Sequence, residues 1–288
     1  VALRAAGHAA RGATLYATLE PCAHHGRTPP CVDAIVDAGV ARVVVGIEDP
    51  DERVRGAGVR ALRAAGVAVD VGVCAEEIRA QLAPYIKHRA TGRPWVVLKL
   101  AATLDGRTAA PDGTSRWITG DAARADAHRL RAESDAVIVG AGTVRADDPA
   151  LTVRHSPGSV PERHGGSVPE RNGGDDPLRV VLGTAPAGAR ALPALELGGD
   201  LGGVLDELGR RGVLQAMVEG GATVAGDFHR AGLVDRYVLY LAPALFGGDD
   251  GRPLFAGAGA PTIADVWRGR IVSVAQLGED VRIECSPA

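Results

Sequence analysis

Short apolar runs of strand length alternate with amphipathic stretches of helix length along this chain, and that alternation confines it to a layered α/β architecture. Residues 13–19, ATLYATL, alternate as a strand does, and VDAIVDAGV at 32–40 has helical spacing closed by Gly39. ARVVVGI (41–47) reads as a buried strand, RGAGVRALRAAG (55–66) as a helix and VAVDVGV (67–73) as another strand. One helix over 74–90, CAEEIRAQLAPYIKHRA, and the turn TGRP lead out of this unit. The boundary is expected near Thr91–Pro94, giving domains 1–91 and 92–288, and 288 residues is a two-domain length.

The second unit repeats the pattern. WVVLKLAAT (95–103) is a strand followed by a turn at LDG, and a helix starts at the N-cap candidates Thr119 and Asp121. DAVIVGAGTV (135–144) is a buried strand running into a glycine-containing turn. An eight-residue tandem copy follows, SVPERHGG (159–166) and SVPERNGG (167–174), whose Gly, Pro and charge predict a surface loop. Beyond it lie LRVVLGTAP, the helix DLGGVLDELGRRG, and VLQAMVEGG, a strand feeding a helix through a glycine pair. VDRYVLYLAPALFGG and VRIECSP supply later strands.

Composition closes off several function classes. A net charge of −3 offers no general basic field for nucleic acid, and no apolar run of about eighteen residues exists to span a membrane. Four irregularly spaced cysteines in a chain this long argue against a disulfide scaffold and for a reducing cytoplasm. Only two of the 32 basic residues are lysines, Lys87 and Lys99, which singles out Lys99 in the middle of a strand. The chain opens without Met in helical spacing (Val1, Leu3, Ala6), so further residues are expected upstream.

The densest chemistry is TLEPCAHHGRTPPC, residues 18–31. A catalytic zinc takes three protein ligands and lowers the pKa of a water in the fourth position. Cys22 follows a proline at a strand end, and Cys31 begins a helix whose N-terminus favours negative sulfur. Taken alone, two cysteines at this spacing are more often buried thiols than ligands. EPC followed by a helix-starting PPC, however, resembles the nucleoside and nucleobase deaminases, which carry H-x-E on one helix and a P-C…C pair on the next. Together with ARVVVGIEDPDERVRGAG (41–58) the stretch resembles one branch, the deaminase domain of the bifunctional riboflavin-biosynthesis deaminase/reductases. The nine-position cysteine separation fits that branch, where most other deaminases have C-x-x-C.

The resemblance implies a cytidine-deaminase-like three-layer domain, truncated at its N-terminus, with Cys22 and Cys31 as zinc ligands. The family's H-A-E precedes the segment matching VALRAAG, so the third ligand and the proton-shuttling Glu belong upstream of Val1, and deamination is not expected of the chain as it stands. His24, Arg27 and the EDP turn at Asp49 are placed near the substrate, with Asp51 where the family commonly has Asn. On the residues alone, His24, His25 and Arg27 are polar loop residues.

In the second unit, VEGGATVAGDF is strand, glycine turn and helix start, suited to phosphate through backbone N–H groups, or simply a tight turn. Lys99 inside its strand reads equally as solvent-facing. The order Lys99…Leu104-Asp105-Gly106…Ser115-x-Trp117-Ile118-Thr119…Asp147-Asp148-Pro149-x-Leu151-Thr152-x-Arg154…Glu219-Gly220-Gly221 resembles the reductase domain of the same family from end to end. That resemblance implies a dihydrofolate-reductase-like domain with a mixed sheet, using NADPH.

It assigns NADPH to Ala101, Trp117, Thr143, Asp147, Thr184 and the turn Gly221, Ala222, Thr223, Val224, Ala225, Gly226 and Asp227. It assigns a phosphoribosylaminopyrimidine substrate to Ser115, Arg131, Leu151, Arg154 and Glu219, with Lys99 near the sugar. Arg131 and Arg154 suit a phosphate dianion, since guanidinium forks bind it bidentately. The implied reaction is hydride transfer to C1′ of the ribosylamino group as its opened imine, with Lys99, Asp147 or Glu219 handling protons. The tandem insert is either a loop beside the substrate phosphate or inert. A homodimer through the reductase domains is also implied. The alternatives are a natural reductase-only homologue with a degenerate deaminase domain, and a structural zinc module, for which four ligands are not found.

Overall fold

The computed structural model describes residues 1–26, 28–153 and 176–288. Arg27, Arg154 and both copies of the tandem insert lie outside the described residues. Val1–Thr91 and Gly92–Ala288 form two compact units. Among the described residues, no helix is long and apolar enough to cross a membrane.

The first unit contains α1 (Ala2–Ala6), β1 (Thr14–Leu19), α2 (Cys31–Asp37), β2 (Arg42–Ile47), α3 (Ala57–Ala64), β3 (Ala68–Val71), α4 (Ala75–Gln81) and α5 (Ala83–Thr91). The strands form one parallel sheet in the order β1-β2-β3, with Thr14 opposite Arg42 and Arg42 opposite Ala68. Central β2 is buried along all but its first residue, as expected for a strand covered on both faces. Val43 and Val45 pack with Val32 and Ile35 of α2 and Leu62 of α3. Gly46, which alternation points the other way, lets Ile78 of α4 close on the sheet: a Cβ there would lie 2.0 Å from the Ile78 Cδ1.

The single helix read over 74–90 is in fact two. Pro84 has no N–H to donate to the Ala80 carbonyl, and its ring excludes the helical carbonyl behind it. The chain therefore breaks at Leu82 (φ −96°, ψ 11°) and restarts as α5.

The second unit contains β4 (Trp95–Thr103), β5 (Arg107–Ala109), α6 (Asp121–Glu133), β6 (Ala136–Gly140), α7 (Ala141–Asp147), β7 (Leu178–Leu182), β8 (Leu195–Leu197), α8 (Leu201–Arg210), β9 (Gln215–Val218), α9 (Ala222–Arg230), β10 (Arg236–Ala242), β11 (Arg252–Pro253), β12 (Gly269–Leu277) and β13 (Asp280–Pro287). An eight-stranded sheet runs β12-β13-β10-β4-β9-β6-β7-β8. The stretch from β10 to β8 is parallel, and the β12–β13 hairpin joins β10 antiparallel, so the sheet is mixed.

Alternation along β4 divides the core. Val96, Leu98 and Leu100 face one side with Leu205 and Leu208 of α8 and Phe228 of α9. Val97 and Ala101 face the other with Leu130 of α6, Val144 of α7, Met217 and Tyr240. Lys99 falls on this second face.

Three local readings are corrected. Neither Thr119 nor Asp121 caps α6: Gly120 holds the N-cap position, Asp121 is the first helical residue, and the Gly120 N–H is met by Asp280 at 2.7 Å. The segment after β6 is not a turn but α7, entered through Gly140. Likewise 222–227 is the start of α9, with only Gly221 outside it as N-cap. β8 and β12, which carry weak or uninterpretable alternation, are strands that the pattern did not mark.

Candidate functional site

In the first unit, β1 delivers Glu20-Pro21-Cys22 to the carboxyl end of the sheet, and Cys31 opens α2 beside it. The Cys31 N–H donates to Cys22 Sγ at 3.4 Å, and the Val32 N–H to the Cys22 carbonyl at 3.2 Å. Burial pushes the Cys31 thiol above its ordinary value, and the neighbouring Cys22 sulfur adds to the rise. Two cysteines brought together at one sheet end suit a shared cation.

Among the described residues, however, no third His, Cys, Asp or Glu joins them, and His24 and His25 do not step in. The residues present fit two ligands of a zinc centre, not a complete one. His24 keeps its Nδ1 buried with no hydrogen-bond partner among the described residues.

The residue that organises this loop is Glu20, buried to 4% exposure. Its Oε1 accepts from the N–H groups of Asp49 (3.0 Å) and Gly56, and its Oε2 from Gly58 (3.1 Å) and Val59 (3.2 Å). One carboxylate thereby ties the cysteine loop to the EDP turn and to the start of α3. Alternation along β1 sets Glu20 in register with the outward Thr14, Tyr16 and Thr18, so periodicity pointed it to solvent. Both oxygens of buried Asp49 accept from Tyr85 Oη (3.0 and 3.1 Å), and burial, reinforced by Asp49, pushes that phenol up to about 12. Asp51 is gripped by Arg53 at both oxygens, which holds its carboxyl well below the usual range.

In the second unit, β6 and β9 are neighbours and end together. Each feeds a helix through glycine: Gly140 caps α7 and Gly221 caps α9. The Gly221 N–H donates to Thr143 Oγ1 at 3.1 Å, so the two helix starts are tied side by side. A side chain at Gly220 would strike Val224 at 2.5 Å, whereas one at Gly142 would meet open space. Paired helix N-termini with glycine access, at the carboxyl end of a parallel sheet, fit the phosphates of a dinucleotide. Thr184, just past β7, is exposed on the strand next to β6. Asp147 ends α7, and its carbonyl accepts from Arg116 Nη2 at 2.7 Å.

Trp117 stands 68% exposed with the Arg124 guanidinium 4.5 Å from its ring centroid, and Ser115 is half-buried two residues before it. Ala101 is half-buried on the same face of β4 as Lys99.

That face carries the charged centre. Lys99 is half-buried, its Nζ 5.8 Å from the Tyr240 ring centroid, and not turned to open solvent. Glu219 leaves the end of β9 with its N–H on the Ile138 carbonyl (2.9 Å). Arg131, from the last turns of α6, binds it with both prongs: Nε to Oε1 at 2.8 Å and Nη2 to Oε2 at 2.9 Å. Arg131 Nη1 donates to the Thr152 carbonyl at 2.6 Å.

One edge of the fork expected to hold phosphate is thus paired with a carboxylate. Burial works to raise the Glu219 carboxyl, but Arg131 above all, with Lys99 and His128 adding to it, holds it down at about 2. Burial pushes the Lys99 ammonium below its ordinary value while Glu219 pulls it back up. Leu151, expected at the sugar phosphate, has its side chain in the core at 3% exposure and a left-handed φ of 55°.

Comparison with known proteins adds the following. The RibD C-terminal domain family matches residues 94–283, and the cytidine and deoxycytidylate deaminase zinc-binding region matches residues 1–47. The riboflavin biosynthesis protein RibD of Escherichia coli is 39% identical, over 97% of this chain and 83% of that protein. RibD of Mycobacterium tuberculosis H37Rv is 42% identical over 98% of this chain and 80% of its own length. Acinetobacter baumannii RibD superposes with a TM-score of 0.88 at 38% identity, covering 100% of this chain and 84% of that one. The Thermotoga maritima diaminohydroxyphosphoribosylaminopyrimidine deaminase/5-amino-6-(5-phosphoribosylamino)uracil reductase gives 0.81 at 32% identity, covering 96% and 80%. This chain belongs to the RibD family, the bifunctional deaminase/reductases of riboflavin biosynthesis.

Proposed function

We propose that the Gly92–Ala288 unit reduces 5-amino-6-(5-phosphoribosylamino)uracil to its ribitylamino product, and that Val1–Thr91 is the deaminase domain. The observation that carries the first part is the convergence of Lys99, Glu219 and Arg131 beside the tied starts of α7 and α9. NADPH, when bound, supplies the hydride for C1′ of the opened ribosylamine.

Thr143, Gly221 and the first turns of α9 (Ala222 to Asp227) hold its phosphates, while Ala101, Trp117, Asp147 and Thr184 line its path. Ser115 and the Leu151 backbone border the phosphoribosyl group. Lys99 is the proton source for the amine nitrogen or the sugar oxygen: its lowered pKa eases proton release, and the Glu219 carboxylate keeps it charged until then.

In the deaminase unit Cys22 and Cys31 would supply two of the zinc ligands. The exposed apolar side chains of Ile271, Val272 and Val274 on β12, an edge strand, support a homodimer formed through the reductase unit.

The assay is oxidation of NADPH by the purified chain given the deaminated ribosylaminouracil phosphate. Turnover is expected, and Lys99→Ala should lower it by roughly a hundredfold or more, the usual scale for a general acid. Lys87→Ala should leave it nearly unchanged. No turnover, or equal effects of the two lysine variants, overturns this reading.

A further inference from the structure

Glu20 lies two residues before Cys22, close enough in sequence for a carboxylate to serve as a metal ligand or to carry a proton. Its surroundings assign it different work. An ionised carboxylate offers about four lone-pair sites. Here backbone N–H groups take up both oxygens twice over, Asp49 and Gly56 at Oε1 and Gly58 and Val59 at Oε2.

Three of these donors open α3. Gly56 is its N-cap, with a left-handed φ of 73°, and Gly58 and Val59 lie in its first turn. The buried carboxylate thus replaces a local capping side chain and meets the positive end of the helix. The remaining donor, Asp49, belongs to the EDP turn, and its own carboxylate holds Tyr85 of α5 through both oxygens. On the other side of Glu20 the chain runs directly into Pro21 and Cys22, and Cys22 accepts from the Cys31 and Val32 N–H groups of α2.

Shape closes the same contact. A Cβ at Gly58 would stand 1.7 Å from the Pro21 carbonyl oxygen, so α3 sits directly on the cysteine loop. A shift of that loop must carry α3 and the EDP turn with it, or break hydrogen bonds to a charged group, which are stronger than neutral ones.

We infer that Glu20 is a positioning residue of the deaminase unit, whose carboxylate holds Cys22 and Cys31 in chelating geometry and couples occupancy of the pair to the EDP turn. The inference rests on reading Val1–Thr91 as the deaminase domain.

The test is capture of phenylarsine oxide, a probe for paired thiols, by the whole purified chain. Each sulfur forms one bond to arsenic, and the arsenic-bound oxygen leaves as water with the two thiol protons. The wild type should capture the probe and Cys31→Ser should not. Glu20→Gln keeps the shape of the side chain but turns an NH2 group toward backbone donors. It should weaken capture by about tenfold or more, the ordinary scale of coupling between linked sites. The rate at which iodoacetamide modifies exposed Cys74 should stay the same, which separates this effect from loss of the fold. Capture at unchanged affinity overturns the inference, whatever the variant does to the melting temperature.

Should Glu20→Gln not fold, the wild type carries the test through amide hydrogen exchange. Capture should slow the Asp49, Gly56, Gly58 and Val59 amides together by about tenfold and leave those of β12 unmoved. Exchange at the four amides that ignores the probe overturns the inference. If the wild type captures no arsenical, the reading of the two cysteines as a ligand pair has failed, and Glu20 is judged by iodoacetamide modification of Cys22. A rate raised about tenfold in Glu20→Gln supports the positioning role, and an unchanged rate overturns it.

Discussion

Glu219 shows how one buried side chain links the site to the stability of the molecule. Its carboxyl titrates at about 2 in the folded protein against an ordinary value of 4.5. The folded-state value is the lower one, so the stabilisation is present above pH ~4.5 and is lost as the pH falls toward ~2. That interval corresponds to about 3 kcal/mol at ~1.4 kcal/mol for each pH unit. Chemical denaturation at pH 5 and pH 2 should therefore show a drop about 3 kcal/mol larger for the wild type than for Glu219→Gln. Equal drops would mean that the ion pair is not what holds the carboxyl down.

The ends of this arrangement were legible in the chain, because Lys99 interrupts an apolar strand and Glu219 precedes a glycine pair. The pairing was not: Arg131 and Glu219 are 88 positions apart, and helical spacing reveals only which face of α6 an arginine occupies. Glu20 was hidden differently, since period-two alternation assumes that the strand continues, and Pro21 turns the chain one residue later.

At the scale of elements, α3 packs against the cysteine loop with no room for a side chain at Gly58. A Cβ on Gly58 would lie 1.7 Å from the Pro21 carbonyl oxygen, while the Gly58 N–H binds Glu20 Oε2 at 3.1 Å. On helix propensity alone, Gly58→Ala should stabilise α3 by about 1 kcal/mol. The clash is with backbone, which cannot swing aside, and overpacking of this kind costs about 1–3 kcal/mol. With strained hydrogen bonds to Glu20 worth ~1.5–3 kcal/mol each, the clash prevails. Gly58→Ala should lower the melting temperature of the first unit, and a rise would show that the loop gives way freely.

Sequence reasoning located most elements because strands and helices here keep clean periods. It failed where a single atom decides: the missing N–H of Pro84 divides α4 from α5, and backbone N–H groups, invisible to pattern, make Gly120 the cap of α6.

Across the whole molecule, the two compact units each carry their own core, and the α/β class and the mixed sheet followed from alternation and family resemblance. What alternation could not supply was β12, where side chains on both faces are exposed and no periodic contrast remains. In the proposed homodimer this edge is the surface for a second copy. Sedimentation should find the wild type dimeric and Val272→Lys shifted toward monomer, since a lysine on an edge strand opposes strand pairing. A wild-type monomer, or a variant dimer of unchanged stability, would remove β12 from the interface.

The position of β9 in the sheet sets an order of events in time. Its strand lies between β4 and β6, yet it is made more than seventy residues after β6 ends. On a ribosome releasing the chain from its N-terminus, β4 and β6 have an empty lane between them until Gln215–Val218 emerge. Glu219 follows one residue later, so the strand that closes the centre of the sheet also brings in the partner of Arg131. A strand arriving late into a parallel lane must close a long loop before its contacts form, a cost in chain entropy that grows slowly with loop length. Insertion of β9 between its neighbours and arrival of the Glu219 carboxylate at Arg131 are then a single event.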